Sequence, residues 1–121
     1  MPGAVIINAD IWEYCENRRF DVIILSNILE HLDRRIEILD YLNRQFRPRE
    51  FLIRVPLLQR EWLVQYKMEL GIEWRLDLTH KIEYTEDELC KELEKAGLFL
   101  KRVSVKWGEM YAVAGAYVKK A

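Results

Sequence analysis

The sequence has few cysteines, no long apolar run and no cluster of glycines. Its two cysteines, Cys15 and Cys90, are too few for a disulfide scaffold or a multi-cysteine zinc site, so we expect both to be reduced. No apolar run approaches the ~20 residues that cross a bilayer. The first nine residues lack the charged start and long apolar core of a signal peptide. These absences favour a soluble, cytoplasmic protein.

The chain also lacks an excess of charge of either sign. Its 19 basic and 20 acidic side chains balance to a net charge of -1. No large electrostatic field is therefore expected to attract nucleic acid or anionic lipid, so neither is the expected partner, but the charge balance leaves a local basic patch open. The arginines are concentrated in the first half, but acidic side chains are interleaved with them, which predicts a mixed, solvated surface.

Apolar side chains, in contrast, are plentiful. Hydrophobic residues make up 50% of the 121 positions and aromatic residues 12%, which is enough for one packed core. No repeat, linker or low-complexity segment divides the chain. We therefore predict a single domain over residues 1–121.

The local patterns alternate between strands and helices. The run Val22 to Leu25 is wholly apolar and mostly β-branched, as in a strand buried on both faces. Thr85 opens a capping box and Gly97 closes the helix that follows. The patterns predict strands over residues 4–8, 20–26 and 51–55, and helices over 33–47 with Asp33 as N-cap, within 57–71, and over 85–97. They end with a hairpin of residues 99–107 and 110–118.

Several short motifs together carry a family resemblance. They are Phe20-Asp21 before the apolar strand, Asn27-Ile28-Leu29-Glu30-His31-Leu32 after it, Arg47-Pro48 and Phe51-Leu52-Ile53-Arg54-Val55-Pro56, Asp77-Leu78-Thr79-His80, Tyr84-Thr85-Glu86-Asp87-Glu88-Leu89, and Ala96-Gly97-Leu98. In this order they resemble the later part of a class I S-adenosylmethionine-dependent methyltransferase, starting at its third strand. The resemblance implies an α/β, three-layer Rossmann-like fold, truncated at the N-terminus, with a mostly parallel sheet and a C-terminal antiparallel hairpin.

The same resemblance implies S-adenosylmethionine as cofactor and four residues that contact it. Asp10 and Ile11 match the positions that meet the adenine ring, while Ser26 and Asn27 match the methionine side. Each pair has a structural alternative: Asp10 would cap a short helix beginning at Ile11, and Ser26 and Asn27 would cap the helix after their strand.

His31 and His80 match positions on the substrate side, where a histidine can act as general base. The alternative for both is an orienting or surface histidine. A metal site built from Glu30, His31, Asp77 and His80 is chemically possible, but their separation in the sequence argues against it, and we predict no metal.

The Gly-rich turn with which this family holds its cofactor is absent, since the five glycines do not cluster between a strand and a helix. We therefore expect a methyltransferase that is incomplete or weakly active as this chain alone, with an unidentified acceptor. The alternative is a non-catalytic interaction module. In both cases the strand at residues 22–25 is predicted to lie at an exposed sheet edge, to be covered by residues 4–8, by a second copy in a homodimer, or by a complementary subunit.

Overall fold

The computed structural model describes residues 3–58, 62–73 and 81–116, without the side chains of residues 62–65. The described elements include both strands and helices. They are β1 (Val22–Ser26), a single 3-10 turn (Leu29–His31), α1 (Arg35–Phe46), β2 (Glu50–Pro56), α2 (Trp62–Glu69), α3 (Glu86–Lys95), β3 (Leu98–Lys106) and β4 (Glu109–Ala116).

The four strands form one sheet in the order β1-β2-β4-β3. β1 runs parallel to β2, with Val22 opposite Glu50 and Ser26 opposite Arg54. β4 pairs antiparallel with both β2 and β3. β1 and β3 are therefore the two edges of the sheet in the described part of the chain.

One face of the sheet packs against α1 and α3. Along β2, Phe51, Ile53 and Val55 are buried with Leu39 and Leu42 of α1, Leu89 and Leu93 of α3, and Met110, Ala112 and Ala114 of β4. The alternate residues of the strands point to the opposite face. There Ile24 is 64% exposed and Leu52 is 37% exposed. We call this second surface the open face.

The fold class predicted from the sequence is confirmed, but the first predicted strand is wrong. Residues 4–8 form no strand, and Ile6 is 95% exposed. Their apolar composition suits a strand, but a strand also needs a partner, and among the described residues no strand pairs with residues 4–8, although β1 has an unpaired edge. As a result one strand pairing is parallel and two are antiparallel, instead of the mostly parallel sheet expected.

Residues 10–20 instead pack on α1 through aromatic side chains. The ring centroids of Trp12 and Tyr41 are 5.4 Å apart, and those of Phe20 and Phe46 are 5.3 Å apart. Tyr14 stacks on Phe46 at 5.9 Å. The strand predicted over residues 20–26 is confirmed, but it is shorter and begins at Val22. Phe20 lies outside the strand because its ring packs on Phe46.

The predicted helix ends are partly confirmed. Thr85 Oγ1 accepts a hydrogen bond from Glu88 N–H at 3.1 Å and caps α3, and Gly97 follows α3 with a φ of 82°. Asp33 is not the cap of α1, since Arg34 holds that position without a side-chain cap hydrogen bond.

The hairpin is confirmed, and its turn is formed by residues 107 and 108, which both have positive φ. Within the described ranges, none of the helices combines the length and the apolar character of a membrane span.

Candidate functional site

Ser26 and Asn27 lie at the carboxyl end of β1, where open α/β sheets bind ligands. Asn27 has a φ of 54°, in the left-handed region, and its backbone N–H donates to the carbonyl oxygen of Arg54 at 2.9 Å. This bond extends the β1–β2 pairing by one residue. The chain then turns sharply, and the side chains of Ser26 and Asn27 are exposed.

Helix capping, the alternative role for these two residues, is not what the structure shows. Ile28 is the N-cap of the following turn, and no side chain caps that turn. Neither Ser26 nor Asn27 makes a side-chain hydrogen bond within the part of the chain that the structure describes. Their polar groups are therefore available to a ligand at this end of the sheet.

Glu30 and His31 follow in the turn after β1. Glu30 is completely buried, and its carbonyl oxygen accepts from Lys81 N–H at 2.5 Å. His31 is half-buried, and its Nε2 lies 3.7 Å from Glu30 Oε1. The buried carboxylate of Glu30 therefore lies beside the imidazole of His31.

A buried polar network lies next to this turn. Tyr84 Oη donates to Glu92 Oε2 at 2.5 Å, and the guanidinium of Arg35 donates to Glu92 Oε1 at 2.8 Å. Burial, and then the hydrogen bond with Glu92, raise the pKa of Tyr84, and the charge of Glu30 raises it further. The network connects α1 to α3 and to the loop that precedes α3, so it holds the turn of Glu30 in place.

Asp10 is engaged in a local turn. Its Oδ1 accepts from Trp12 N–H at 2.8 Å, and its carbonyl oxygen accepts from the N–H groups of Glu13 and Tyr14. The carboxylate thus makes the kind of bond expected of a cap, but residues 11–13 form a turn and the predicted short helix beginning at Ile11 is wrong. A contact of Asp10 with a cofactor remains a prediction.

The structure does not bring the two predicted cofactor-binding pairs into one cavity. Ile11 lines a cavity of about 560 Å³ together with residues 3–20 of the amino-terminal segment. Ser26 lines another cavity, of about 490 Å³, on the open face. His80 and Asp77 lie outside the described residues. Over the ranges 3–58, 62–73 and 81–116, no three acidic, histidine or cysteine side chains lie close enough to hold a metal ion.

The cavity on the open face was not predicted from the sequence. Besides Ser26 it is lined by Leu52, Arg54 and Tyr111. The guanidinium of Arg54 lies 5.4 Å from the ring of Tyr111 and forms an ion pair with Glu109. The available signal was the alternation of side-chain direction along a strand, which places Leu52 and Arg54 on the face opposite Phe51, Ile53 and Val55.

Comparison with solved structures places this arrangement among known folds. The small RNA methyltransferase HEN1 superimposes with a TM-score of 0.65 at 15% identity, over 89% of this chain and 15% of its own. The mitomycin 7-O-methyltransferase MmcR superimposes with a TM-score of 0.68 at 17% identity, and the match covers 93% of this chain and 34% of MmcR. Magnesium protoporphyrin IX methyltransferase (ChlM) of Synechocystis PCC 6803, with bound SAH, superimposes with a TM-score of 0.63 at 13% identity. This match covers 92% of this chain and 50% of ChlM.

The chain has a class I methyltransferase fold. It spans between about one seventh and one half of the length of these three solved methyltransferases. No protein-family model matches the sequence, and the search of curated proteins finds no match. The methyltransferase fold therefore rests on structure, with β1 and β2 as its parallel strands and β3 and β4 as its terminal hairpin.

Proposed function

We propose that this chain supplies part of the active site of an S-adenosylmethionine-dependent methyltransferase, with an unidentified methyl acceptor. The exposed polar groups of Ser26 and Asn27, at the carboxyl end of a parallel strand in a methyltransferase fold, carry the proposal. Two of the structurally similar proteins, ChlM and the O-methyltransferase NcsB1, were crystallised with S-adenosylhomocysteine.

We propose that Ser26 and Asn27 offer hydroxyl and amide groups to the methionine end of the cofactor. Asp10 and Ile11 are proposed for its adenine, although Ile11 lines a different cavity from Ser26 and Asp10 Oδ1 already accepts from Trp12 N–H. No glycines form a cradle between a strand and a helix in the described ranges. The chain thus supplies some of the contacts, and we expect a further polypeptide or a second copy to supply the rest.

When bound, the cofactor provides a methyl group on a sulfonium, which an acceptor attacks in line. The contribution of the protein to such a displacement is mainly proximity and alignment. His31, placed by the buried Glu30, would accept a proton from an acceptor that starts protonated. His80 is proposed for the same side of the site.

The test is ligand-observed NMR of the chain with S-adenosylhomocysteine at millimolar concentration. We expect weak, saturable binding that is lost in Asn27→Gly, a variant that removes the amide and tolerates the positive φ, and weakened in Asp10→Ala. Asn17→Ala, a change at another exposed asparagine, is the matched control and should bind as the wild type does. Absence of a signal with the wild type, or an unchanged signal with Asn27→Gly, would overturn the proposal.

A second candidate function is assembly through the β1 edge, and the contrast between the two sheet edges favours it. β3 carries Lys101, Arg102 and Lys106 and contains a register shift after Leu100. Charges and irregularities of this kind prevent an edge from pairing with other strands. β1, in contrast, has the sequence Val-Ile-Ile-Leu-Ser without a charge, proline or bulge.

We propose a second copy of the chain as the occupant of this edge. In an antiparallel pairing about a two-fold axis at Ile24, Val22 would face Ser26 of the second copy and Ile23 would face Leu25. Apolar residues then meet on both faces, and the open faces of the two sheets join. The edge is thus self-complementary, as a two-fold interface requires.

Light scattering over a concentration series tests this pairing. We expect a dimer for the wild type and a monomer for Ile24→Lys, which places two like charges at the axis. Val105→Lys is the matched control, because Val105 is 52% exposed on the protected edge strand, and this variant should stay dimeric. A wild type that is monomeric throughout, or dissociation by both variants, would contradict the pairing.

A further inference from the structure

Five cationic side chains line one cleft at the amino-terminal end of β2. The cleft has a volume of about 770 Å³ and lies where α1 ends, β2 and β3 begin and β4 ends. None of the described residues that line it is acidic. The five cations are Arg19, Arg44, Arg47, Arg49 and Lys101.

Two of these cations have carboxylate partners outside the cleft lining. Arg44 forms an ion pair with Asp40, one turn earlier in α1. Lys101 Nζ lies 3.3 Å from Glu50 Oε2. Both pairs are at least partly exposed to water, so neither removes its cation from contact with a further anion.

The other three cations are not neutralised within the described ranges. Arg19 donates from Nε to the carbonyl oxygen of Arg47 at 2.8 Å, which leaves the charges of both guanidinium groups uncompensated. No carboxylate in those ranges forms an ion pair with Arg47 or Arg49. Asp21 contacts Arg49 only through its carbonyl oxygen, which accepts from Arg49 N–H at 2.8 Å.

Arg47 is, in addition, held in an unfavourable backbone conformation. It follows the last residue of α1 with a φ of 45°, where glycine or asparagine is usual. An arginine at this position gives up some stability and gains a cation at the mouth of the cleft. Strain of this kind is often found at binding sites.

The cleft is separate from the proposed cofactor site. It lies at the start of β2, whereas Ser26 and Asn27 lie at the opposite end of the β1–β2 pair. The five residues of β1 separate the two ends by about 13 Å. A ligand in the cleft would therefore not displace one at the carboxyl ends of the strands.

We propose that this cleft binds the phosphate backbone of a single-stranded nucleic acid. Guanidinium groups match phosphate oxygens in geometry and charge, and several of them spread along an open cleft suit successive phosphates. Phe99 also lines the cleft, with its ring 5.9 Å from Lys101 Nζ, and provides an aromatic surface for a base. The net charge of the chain argued against a nucleic-acid partner, but it averages over the whole surface, whereas five of the 19 basic side chains line this one cleft.

The proposal does not depend on methyltransferase activity and is tested by binding alone. Fluorescence anisotropy with a labelled oligouridine measures affinity at about 50 mM salt and at several higher concentrations. We compare the wild type with the double variant R47Q/R49Q. The matched control R34Q/K91Q removes the same charge from two exposed residues outside the cleft lining.

We expect the double variant in the cleft to lose about tenfold or more in affinity and to show a salt slope smaller by about 1.4, for two lost phosphate contacts. The control should bind as the wild type does. Equal loss in both double variants would overturn the proposal, since it would indicate attraction by overall charge. Displacement by tripolyphosphate at equal phosphate concentration would also overturn it, because the site would then recognise free phosphates instead of a strand. Thermal unfolding followed by circular dichroism establishes that each variant is folded.

Discussion

Tyr84 and Glu92 are joined by a hydrogen bond of 2.5 Å between the phenol and the carboxylate, and the same carboxylate receives the guanidinium of Arg35. The tyrosine comes from the loop before α3, the glutamate from α3 and the arginine from α1. Burial of Tyr84, together with this bond, raises the pKa of its phenol above the ordinary value of 10.0. Three separate elements thus share one largely buried polar contact.

Because of Tyr84, the free energy of unfolding should decrease at alkaline pH. Its pKa is higher in the folded than in the unfolded state, so the unfolded state loses the proton first as the pH rises. The stabilisation is complete below the ordinary pKa of 10.0 and is lost above it, by about 1.4 kcal/mol per pH unit. Urea unfolding of the wild type and Tyr84→Phe at pH 8 and above pH 10 measures this. A decrease of the same steepness in both proteins would show that Tyr84 is not responsible.

Removal of the Arg35 side chain should destabilise the fold more than removal of the side chain of Arg34. The Arg35–Glu92 side chains are only 19% and 14% exposed, so Arg35→Ala leaves a carboxylate with little access to water. We expect a loss of about 2 kcal/mol, less than for a fully enclosed pair. Arg34→Ala removes an exposed ion pair with Glu37 and should have little effect. Urea denaturation compares the two, and equal losses would contradict the importance of the buried pair.

The cap of α3 should contribute measurably to stability. Thr85 Oγ1 accepts from Glu88 N–H at the first turn, and Thr85→Ala removes this acceptor. We expect a loss of about 1 kcal/mol in the free energy of unfolding. Thr85→Ser retains the oxygen and serves as the control. If serine were as damaging as alanine, the effect would come from the lost methyl group and not from the cap.

Variants of Asn27 should distinguish the effect of backbone strain on stability from the effect of the amide on ligand binding. Its φ of 54° is tolerated by asparagine and glycine, but costs a residue such as alanine about 1 kcal/mol. Asn27→Gly should therefore keep the stability of the wild type, whereas Asn27→Ala should lower it. Thermal unfolding gives the order of the three proteins. A glycine variant less stable than the alanine variant would argue against a left-handed conformation at this position.

Local signals predicted much of the fold. Each of these signals lies within a few neighbouring residues, and the structure confirms the strand at Val22 to Leu25, the cap at Thr85 and the helix end at Gly97. The burial of that strand on both faces is wrong, since Ile24 is 64% exposed. The strand predicted at residues 4–8 is wrong for a different reason. Their side chains favour a strand, but pairing depends on a neighbour elsewhere in the fold, which local composition does not reveal.

The sequence predicted the position of candidate site residues only where they directly follow a strand. Ser26 and Asn27 were placed correctly at the carboxyl end of β1 because the polar residues directly follow the apolar run. The cationic cleft was not predicted, since Arg19, Arg47 and Lys101 come from three separated segments and acidic residues are interleaved with them in the sequence. Only the register of β2, β4 and β3 brings these segments together.

The difference between the two sheet edges also sets how far assembly can proceed. A chain with two open edges can add strands at both sides and grow into a fibre. In the part of the chain that the structure describes, the sheet has one open edge, at β1, and one protected by Lys101, Arg102 and Lys106, at β3. If the β1 edges of two copies pair as proposed, neither copy keeps an open edge, and growth is expected to stop at a closed pair with no site left for a third.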